Sequence, residues 1–299
     1  MTASHPDTPA VSAAPRGKQR GKQRGKDRAS GRAGRNLVAA IGVGVGLGAV
    51  VLSSLLIERH WFIPVVALAA AVGTWELAGA LRRGAGIRVP LPVLLVGGQA
   101  MVWLVWPFGP AATAVAFAAT TLGVLLWRMP GGAEHYVRDV TAGVFTAAYV
   151  PLLCAFAALM VVAPDGAARV LVFVIGVVAS DVGGYTAGVL AGKHPMAPTI
   201  SPKKSWEGFG GSLFTGMVAG ALSVVFLLHG PWWAGVLTGA LLVVSATLGD
   251  LIESLMKRDI GIKDMGTLLP GHGGLLDRLD SLLPTALVAW AALSLLVPV

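Results

Sequence analysis

Apolar runs close to the length of a bilayer span recur from residue 37 to the end of the 299-residue sequence. A membrane-spanning helix needs about 20 consecutive, mainly apolar residues. The pattern therefore predicts an all-α, polytopic transmembrane protein with about nine spans. These are expected at 37–57, 61–80, 91–107, 110–127, 140–163, 168–191, 208–229, 232–256 and 280–298. The third and fourth runs are short, and the turn at Pro107–Pro110 leaves a re-entrant pair open as an alternative.

The composition agrees with a membrane protein. Only 13% of the residues are charged, whereas soluble globular proteins carry about 25%. The single cysteine, Cys154, lies in an apolar run, so the chain has neither an intramolecular disulfide nor a four-cysteine metal site.

Residues 1–35 differ from the rest of the chain. They contain no apolar run, and 17–28 repeat a Gly-Lys-Gln-Arg unit, with Asp in place of Gln in the third copy. Such a segment cannot bury enough surface to order itself. We expect a disordered basic tail at 1–35, followed by a transmembrane catalytic domain at 36–299. The tail either tethers the protein to anionic lipid or is a solvated segment that helps set topology. Since no aromatic pattern supports it, no nucleic-acid partner is expected.

The basic residues predict the orientation of the chain in the membrane. With the N-terminus inside, only Arg59 and Arg169 of the 23 Lys and Arg residues lie outside. This distribution obeys the positive-inside rule. It predicts a multi-pass protein of the plasma membrane whose N-terminus is cytoplasmic. The two long polar connections, 192–207 and 257–279, then face the cytoplasm as well, and the active site is expected there.

The last of these connections and its flanks carry the candidate chemistry. Asp250, Glu253, Ser254 and Lys257 share one helix face, and Asp277, Asp280 and Ser281 repeat that spacing. Ionisable groups this close to hydrocarbon usually have a function. The alternative is that the acids form structural ion pairs with Lys257, Arg258 and Arg278.

These residue types point to chemistry on a polyphosphate. Carboxylates suit Mg²⁺, which binds through one or two of them plus substrate phosphates. Lysine and arginine suit the phosphates themselves, and glycines such as Gly271, Gly273 and Gly274 let backbone N–H groups approach them. The combination indicates phosphoryl or nucleotidyl transfer. His272 either donates to a phosphate or leaving group, or orients the loop.

Two upstream segments belong to the same constellation. Asp181 and Tyr185 lie late in the sixth predicted span, on one face with Gly188. The sequence Ser201-Pro202-Lys203-Lys204 is predicted to form a cationic turn just before the next span. A positive-inside cluster alone would explain the two lysines but not the acid in the preceding helix.

The stretch from Ser254 to Asp280 resembles the full signature of the CTP:phosphatidate cytidylyltransferase family. It reads Ser-Leu-Met-Lys-Arg, then Lys263-Asp264, then Leu-Pro-Gly-His-Gly-Gly-Leu and finally Asp277-Arg-Leu-Asp280, with no departure from the family pattern. Residues 181–208 are also similar, with Ser205 where threonine is common. The resemblance implies that CTP and phosphatidic acid give CDP-diacylglycerol and pyrophosphate, on a homodimeric helical fold in the bilayer.

The resemblance also implies site residues. Asp250 and Asp277 would be the ligands of Mg²⁺ in a paired-metal site, with a monovalent cation such as K⁺ as the candidate second ion. The candidate catalytic residues are Asp250, Asp277, Lys257, Arg258, Lys263, Asp264, His272, Arg278 and Asp280. The candidate substrate-binding residues are Asp181, Tyr185, Ser201, Lys203, Lys204, Glu253, Ser254, Gly273 and Gly274.

Two other functions compete with this interpretation. A CTP-dependent lipid kinase, acting on a polyprenol or phytol, would transfer the γ-phosphate to a hydroxyl and would need a base for it. A transporter would use acids within apolar runs, such as Glu76 and Asp181, but usually shows an internal repeat, and none is found in the sequence. Glu76 is equally consistent with an interfacial or a packed acid near Arg82 and Arg83.

Overall fold

The computed structural model describes residues 1–2, 37–268 and 273–298, without the side chains of 37–41 and 43. The prediction of a disordered tail concerns residues that lie almost entirely outside this range. The described helices are α1 Leu37–Ile57, α2 Phe62–Ala85, α3 Leu91–Trp103, α4 Val105–Arg128, α5 Tyr136–Ala147, α6 Leu153–Val162, α7 Gly166–Ala191, α8 Trp206–Leu228, α9 Trp232–Asp259, α10 Leu276–Leu279 and α11 Leu282–Leu296.

The prediction of a polytopic helical membrane protein is confirmed. Within the described residues, seven helical segments are long and apolar enough to cross a membrane: 59–85, 105–131, 136–162, 166–191, 206–228, 232–259 and 276–296. Two shorter apolar helical segments lie at Gly44–Ile57 and Leu91–Trp103. These nine segments fall where the nine runs were predicted, but by length only seven qualify, so the count of nine spans is not established.

Proline and glycine account for the irregular helices. Helices α5 and α6 form one continuous segment through a π-turn at Ala148–Leu152, where Pro151 has no N–H to donate. Helix α4 is broken at Gly109, whose φ of 68° and ψ of −161° suit only glycine. The predicted turn at Pro107–Pro110 is confirmed, because Leu104 keeps helical dihedral angles and the chain reverses direction at Gly109. Across this turn, a methyl group added at Gly97 would meet Thr120 and one added at Gly123 would meet Val93.

The chain connections gather at two ends of the helix bundle. At one end, the Arg59 guanidinium donates to the carbonyls of Ala163 and Pro164 at 2.5 and 2.9 Å. At the other end, Arg138 donates to the Gly86 carbonyl at 3.3 Å, and Gly84 packs against the backbone of Ile260. Alternate connections thus share an end, which is the arrangement that the positive-inside argument required.

Small residues allow helices α7, α8 and α9 to pack closely. A methyl group added at Gly239 would overlap the carbonyl of Gly216, and one added at Gly235 would overlap that of Gly220. Between α7 and α8, Ser212 donates to the Ser180 carbonyl at 2.6 Å and Thr215 to the Ala179 carbonyl at 2.8 Å. Within a membrane no hydrophobic effect drives helices together. Close backbone approach and interhelical hydrogen bonds are therefore the usual means of helix association there.

A two-stranded hairpin interrupts the helices between α7 and α8. Strand β1, Pro195–Ala197, pairs antiparallel with β2, Ser201–Ser205. The predicted cationic turn at 201–204 is therefore wrong, because Lys203 and Lys204 lie in strand β2. The hairpin ends at Ser205, whose hydroxyl accepts a 3.1 Å hydrogen bond from the Gly208 N–H and caps α8.

Candidate active site

A cavity of about 510 Å³ lies where α7, the hairpin, α8, α9 and the first residues of the final segment meet. Its charged lining combines four carboxylates with three cations from segments far apart in sequence. These residues are Asp181, Asp250, Asp277, Asp280, Lys203, Lys204 and Arg278. The hydroxyls of Ser180, Tyr185, Ser212 and Ser281 also line it. Because both signs of charge converge on one cavity, it suits a charged ligand together with counter-cations.

Asp250 and Lys204 form a direct ion pair within this cavity. Their Oδ2 and Nζ atoms are 2.6 Å apart, and their side chains are 37% and 24% exposed. Lys204 also donates to the Thr247 carbonyl at 3.4 Å, and the Ser254 hydroxyl donates to Asp250 at 3.4 Å. The pair is reachable from solvent, so an incoming anion or cation can replace either partner.

Asp277 is held by the backbone of the preceding loop. Its carboxylate accepts from the Met265 N–H at 3.0 Å, from the Gly274 N–H at 2.8 Å and from Lys257 Nζ at 3.0 Å. Its side chain is only 7% exposed. Asp277 therefore fixes the loop geometry, as well as lining the cavity.

Lys257 lies beneath the cavity and joins two helices. It forms ion pairs with Glu253, four residues earlier on α9, and with Asp277. Glu253 is fully buried, and its second oxygen, Oε1, has no hydrogen-bond partner among the described residues. A buried carboxylate of this kind is costly unless it is paired, so Lys257 stabilises both acids.

Glu207 and Arg258 also attach the hairpin segment to the bundle through polar contacts. Glu207 accepts from the backbone N–H groups of Lys193 and His194 at 3.2 Å, and lies 2.6 Å from the His194 ring. Arg258 donates to the Ile200 carbonyl at 2.6 Å. These contacts fix the strand that carries Lys203 and Lys204 against α8 and α9.

The oxygen donors of the cavity fit Mg²⁺ in type. Among the described residues, no three acidic, histidine or cysteine side chains form a group that could hold a metal by themselves. A bound Mg²⁺ would therefore complete its shell with substrate phosphates and water, as is common for this ion. The Asp250 oxygens accept from Lys204 and, at 3.4 Å, from Ser254, which are side-chain partners that a cation could replace, whereas the Asp277 carboxylate accepts from two backbone N–H groups and from Lys257.

Comparison with known proteins decides the family. The sequence profile described as "Cytidylyltransferase family" matches residues 38–296. The phosphatidate cytidylyltransferase of Mycobacterium bovis is 49% identical over 276 residues, covering 88% of this chain and 90% of the relative. That of Mycobacterium leprae is 49% identical over 279 residues, covering 88% and 89%. That of Haemophilus influenzae is 37% identical over 176 residues, covering 57% and 51%.

The chain belongs to the cytidylyltransferase family. The resemblance found in the sequence is thereby confirmed, and so is the prediction that this cytidylyltransferase is a nucleotidyltransferase enzyme.

The structure of this cytidylyltransferase brings only part of the predicted site into the cavity. Asp181, Tyr185, Lys203, Lys204, Asp250, Asp277, Arg278 and Asp280 line it. Lys257, Arg258, Glu253 and Ser254 support the lining residues from behind, through the contacts given above. Lys263 and Asp264 are exposed in the loop after α9, and Ser201 begins strand β2. His272 lies outside the described residues, so its role stays a prediction.

Two glycines of the predicted site have a steric role in this cytidylyltransferase. Gly273 has a φ of 81°, which a side chain rarely adopts, and a methyl group there would lie 2.8 Å from the Asp277 carboxylate. A methyl group at Gly274 would lie 2.5 Å from the carboxylate of Glu76. Both glycines therefore let the loop approach acidic side chains closely.

The sequence did not predict that Glu76 contacts the segment around Asp277. Its side chain is 1% exposed, and it accepts hydrogen bonds from the backbone just before Asp277. The available signal was an acid inside an apolar run, which favoured either an interfacial or a packed residue. The structure confirms the packed alternative and gives the transporter hypothesis no support from Glu76.

Proposed function

We propose that this chain transfers the cytidylyl group of CTP to phosphatidic acid, giving CDP-diacylglycerol and pyrophosphate, at the cavity between α7, the hairpin and α9. The observation that carries the proposal is the convergence on that one cavity of acids and lysines from four elements: α7, strand β2, α9 and the segment that begins with α10. The names of the relatives that cover most of this chain support the same activity.

The chemistry requires positioning and charge stabilisation more than proton transfer. A phosphate oxygen of phosphatidic acid attacks the α-phosphorus of CTP, and the bond between the α-phosphorus and the bridging oxygen to the β-phosphate breaks. That bridging oxygen leaves with pyrophosphate. The attacking phosphate monoester is largely ionised near neutral pH, because its second pKa is about 6. Neither a general base nor a covalent nucleophile is needed.

The cationic side chains of the cavity are placed to hold the phosphates. Lys203 and Lys204 approach from strand β2, and Arg278 approaches from helix α10. Lysine and arginine form charge-assisted hydrogen bonds with phosphate oxygens. We expect the CTP phosphates to displace Asp250 from Lys204, which frees this carboxylate for a cation.

Mg²⁺ is the proposed cofactor, and a monovalent cation such as K⁺ is the candidate second ion. Asp250 and Asp277 remain the proposed ligands, with Asp181 and Asp280 lining the same cavity. When bound, Mg²⁺ would neutralise charge on the substrate phosphates. The four carboxylates and three cations of the lining cannot by themselves balance two phosphate-bearing substrates, which supports a requirement for added cations.

The lipid bilayer, a plasma-membrane location and a homodimer also belong to the proposal. Large apolar side chains such as Leu68, Val115 and Phe226 are more than half exposed, which suits contact with lipid. We place the end of the bundle that carries the cavity in the cytoplasm, where CTP is found. A cavity at that end can take CTP from water and phosphatidic acid from the adjacent leaflet.

Radiolabelled CTP tests the proposed reaction. With purified protein, Mg²⁺ and phosphatidic acid, label from the α-phosphorus should enter the lipid fraction and label from the γ-phosphorus should appear in pyrophosphate. Omitting phosphatidic acid should abolish lipid labelling. Transfer of γ-label to lipid would instead identify a kinase, and lack of transfer from either position by well-folded protein would exclude both activities.

A further inference from the structure

Glu76, on helix α2, contacts the segment that leads into Asp277. Its Oε1 atom accepts from the Leu275 N–H at 3.0 Å, and its Oε2 atom accepts from the Leu276 N–H at 2.7 Å. These are two consecutive backbone donors, and Asp277 is the next residue. The two oxygens of one carboxylate therefore fix the position and direction of the backbone at the start of α10.

Glu76 is buried, and its carboxylate is bound by backbone N–H groups. It is 1% exposed, lies in the middle of α2 and forms none of the ion pairs identified among the described residues. Burying a carboxylate is costly unless hydrogen bonds compensate it. The N–H groups at 275 and 276 provide that compensation.

The loop backbone fits closely around this carboxylate. At Gly266 and Gly274, a methyl group would collide with the Glu76 side chain from two directions. Residue 266 follows Met265, whose N–H binds Asp277, and the N–H of residue 274 binds Asp277 directly. Glu76 thus contacts both sides of the loop that holds Asp277, at Gly266 and at residues 274–276.

Arg83 provides a second attachment on the same helix. It lies seven residues after Glu76, so the two share a face of α2, and it donates to the Met265 carbonyl at 2.8 Å. The N–H of Met265 binds Asp277 while its carbonyl binds Arg83. Helix α2 therefore holds the loop at Met265 and at 275–276, which are one of the two residues whose N–H groups bind the Asp277 carboxylate and the neighbours of the other, Gly274.

We propose that Glu76 is a positioning residue for the reaction: together with Arg83 it holds the backbone at Met265 and at 275–276 so that Asp277 and Arg278 face the cavity. It touches neither substrate in this arrangement and acts through the backbone of Leu275 and Leu276. The kinetic part of the proposal rests on the proposed function, whereas the structural part does not.

The first test compares Glu76→Ala and Glu76→Gln with the parent protein, in nanodiscs, by hydrogen exchange and by kinetics. Glu76→Ala removes both acceptors, and we expect faster exchange over 273–281 with exchange elsewhere unchanged. A displacement of about 1 Å at a reacting group can cost on the order of 10²-fold. We therefore expect kcat to fall about 10²-fold and KM for CTP to change little, with a smaller loss for Glu76→Gln, which keeps one acceptor oxygen.

Glu134→Gln is the matched control, because its side chain is 87% exposed and far from the loop in sequence. It should leave both exchange and kinetics unchanged. Normal exchange over 273–281 in a folded Glu76→Ala protein would overturn the proposal, whatever its activity. Faster exchange with normal kcat would show that the contact is structural only, and it would overturn the positioning role.

A second variant keeps the proposal testable if Glu76→Ala does not fold. Gly266→Ala adds one methyl group that pushes against the Glu76 carboxylate, while Gly210→Ala adds one where nothing lies within 4 Å. We expect Gly266→Ala to loosen 273–281 and lower kcat, and Gly210→Ala to do neither. Unchanged exchange and turnover in Gly266→Ala would count against the proposal. A loss of all CTP-dependent activity in the parent protein would instead count against the proposed function, and exchange would still test the contact.

Discussion

Lys204 Nζ lies 2.6 Å from Asp250 Oδ2, so strand β2 and helix α9 are joined by an ion pair inside the cavity. The two residues are 46 positions apart in sequence, and each belongs to a different motif. In the absence of substrate, the charge of each side chain is compensated by the other. The pair thus keeps two groups that a nucleotide and its cation would use in place before either binds.

The first prediction concerns the cationic member of this pair. Lys204→Met removes a charge that meets the phosphates and leaves Asp250 without its ion-pair partner. We expect kcat/KM for CTP to fall about 10²-fold or more, the size of effect found when one charge-stabilising donor is removed. Lys193→Met, at an exposed position outside the cavity, should retain near-normal kcat/KM. Equal kcat/KM values for the two variants would show that Lys204 does not bind the phosphates.

The second prediction concerns Asp250 as a metal ligand. Asp250→Asn keeps the size of the side chain but removes a charge that would offset Mg²⁺, so turnover should fall about 10²-fold or more. Because Asp250 contributes little to loop geometry, raising Mg²⁺ should restore part of the activity. Asp259→Asn is the control, since Asp259 is exposed at the end of α9. Mg²⁺ titrations of both variants measure the difference.

The third prediction separates Asp277 from Asp250. Asp277→Asn would place an NH₂ group where the N–H groups of Met265 and Gly274 now donate. Turnover should fall at least as far as in Asp250→Asn, and added Mg²⁺ should restore little of it because the loop geometry is lost. Hydrogen exchange over 261–268 should also increase. Full rescue by Mg²⁺ with unchanged exchange would show that Asp277 acts only as a metal ligand.

The fourth prediction concerns the packing of α8 against α9. Gly239→Ala forces a methyl group into the Gly216 carbonyl, and overpacking of this kind costs roughly 1–3 kcal/mol. Thermal unfolding in detergent should shift to lower temperature, while Gly210→Ala should not shift it. An unchanged unfolding temperature for Gly239→Ala would show that the two helices separate easily.

The fifth prediction concerns orientation. Thr267→Cys places a thiol in the exposed loop after α9, and the native Cys154 is buried at 6% exposure and should label weakly. A membrane-impermeant maleimide should label Thr267→Cys in inverted vesicles but not in intact cells. Glu58→Cys, at the other end of the bundle, should behave in the opposite way. The reverse pattern would place the cavity outside the cytoplasm.

Helices and motifs were predictable because their signals are local. Apolar runs placed the α7, α8 and α9 boundaries within three residues, and the spacing of Asp250, Glu253 and Lys257 placed them correctly on one face. Strand β2 was missed because it has only five residues. That is too short for an alternating pattern of apolar and polar residues to reveal its pairing with residues 195–197. The separation of Lys257 from the cavity was missed as well, because helix facing alone cannot tell a residue that lines a cavity from one that supports it.

Glu76 was unpredictable for a different reason, since its partners lie 199 and 200 residues away. That separation has a consequence for biosynthesis. Helix α2 leaves the ribosome long before Leu275 and Leu276 are synthesised. Glu76 therefore gains these two hydrogen-bond donors only when almost the entire chain has been made. Completion of the nascent chain and assembly of the loop around Asp277 are thereby coupled, and a ribosome-stalled fragment ending before residue 275 would expose an uncompensated acid to quality control.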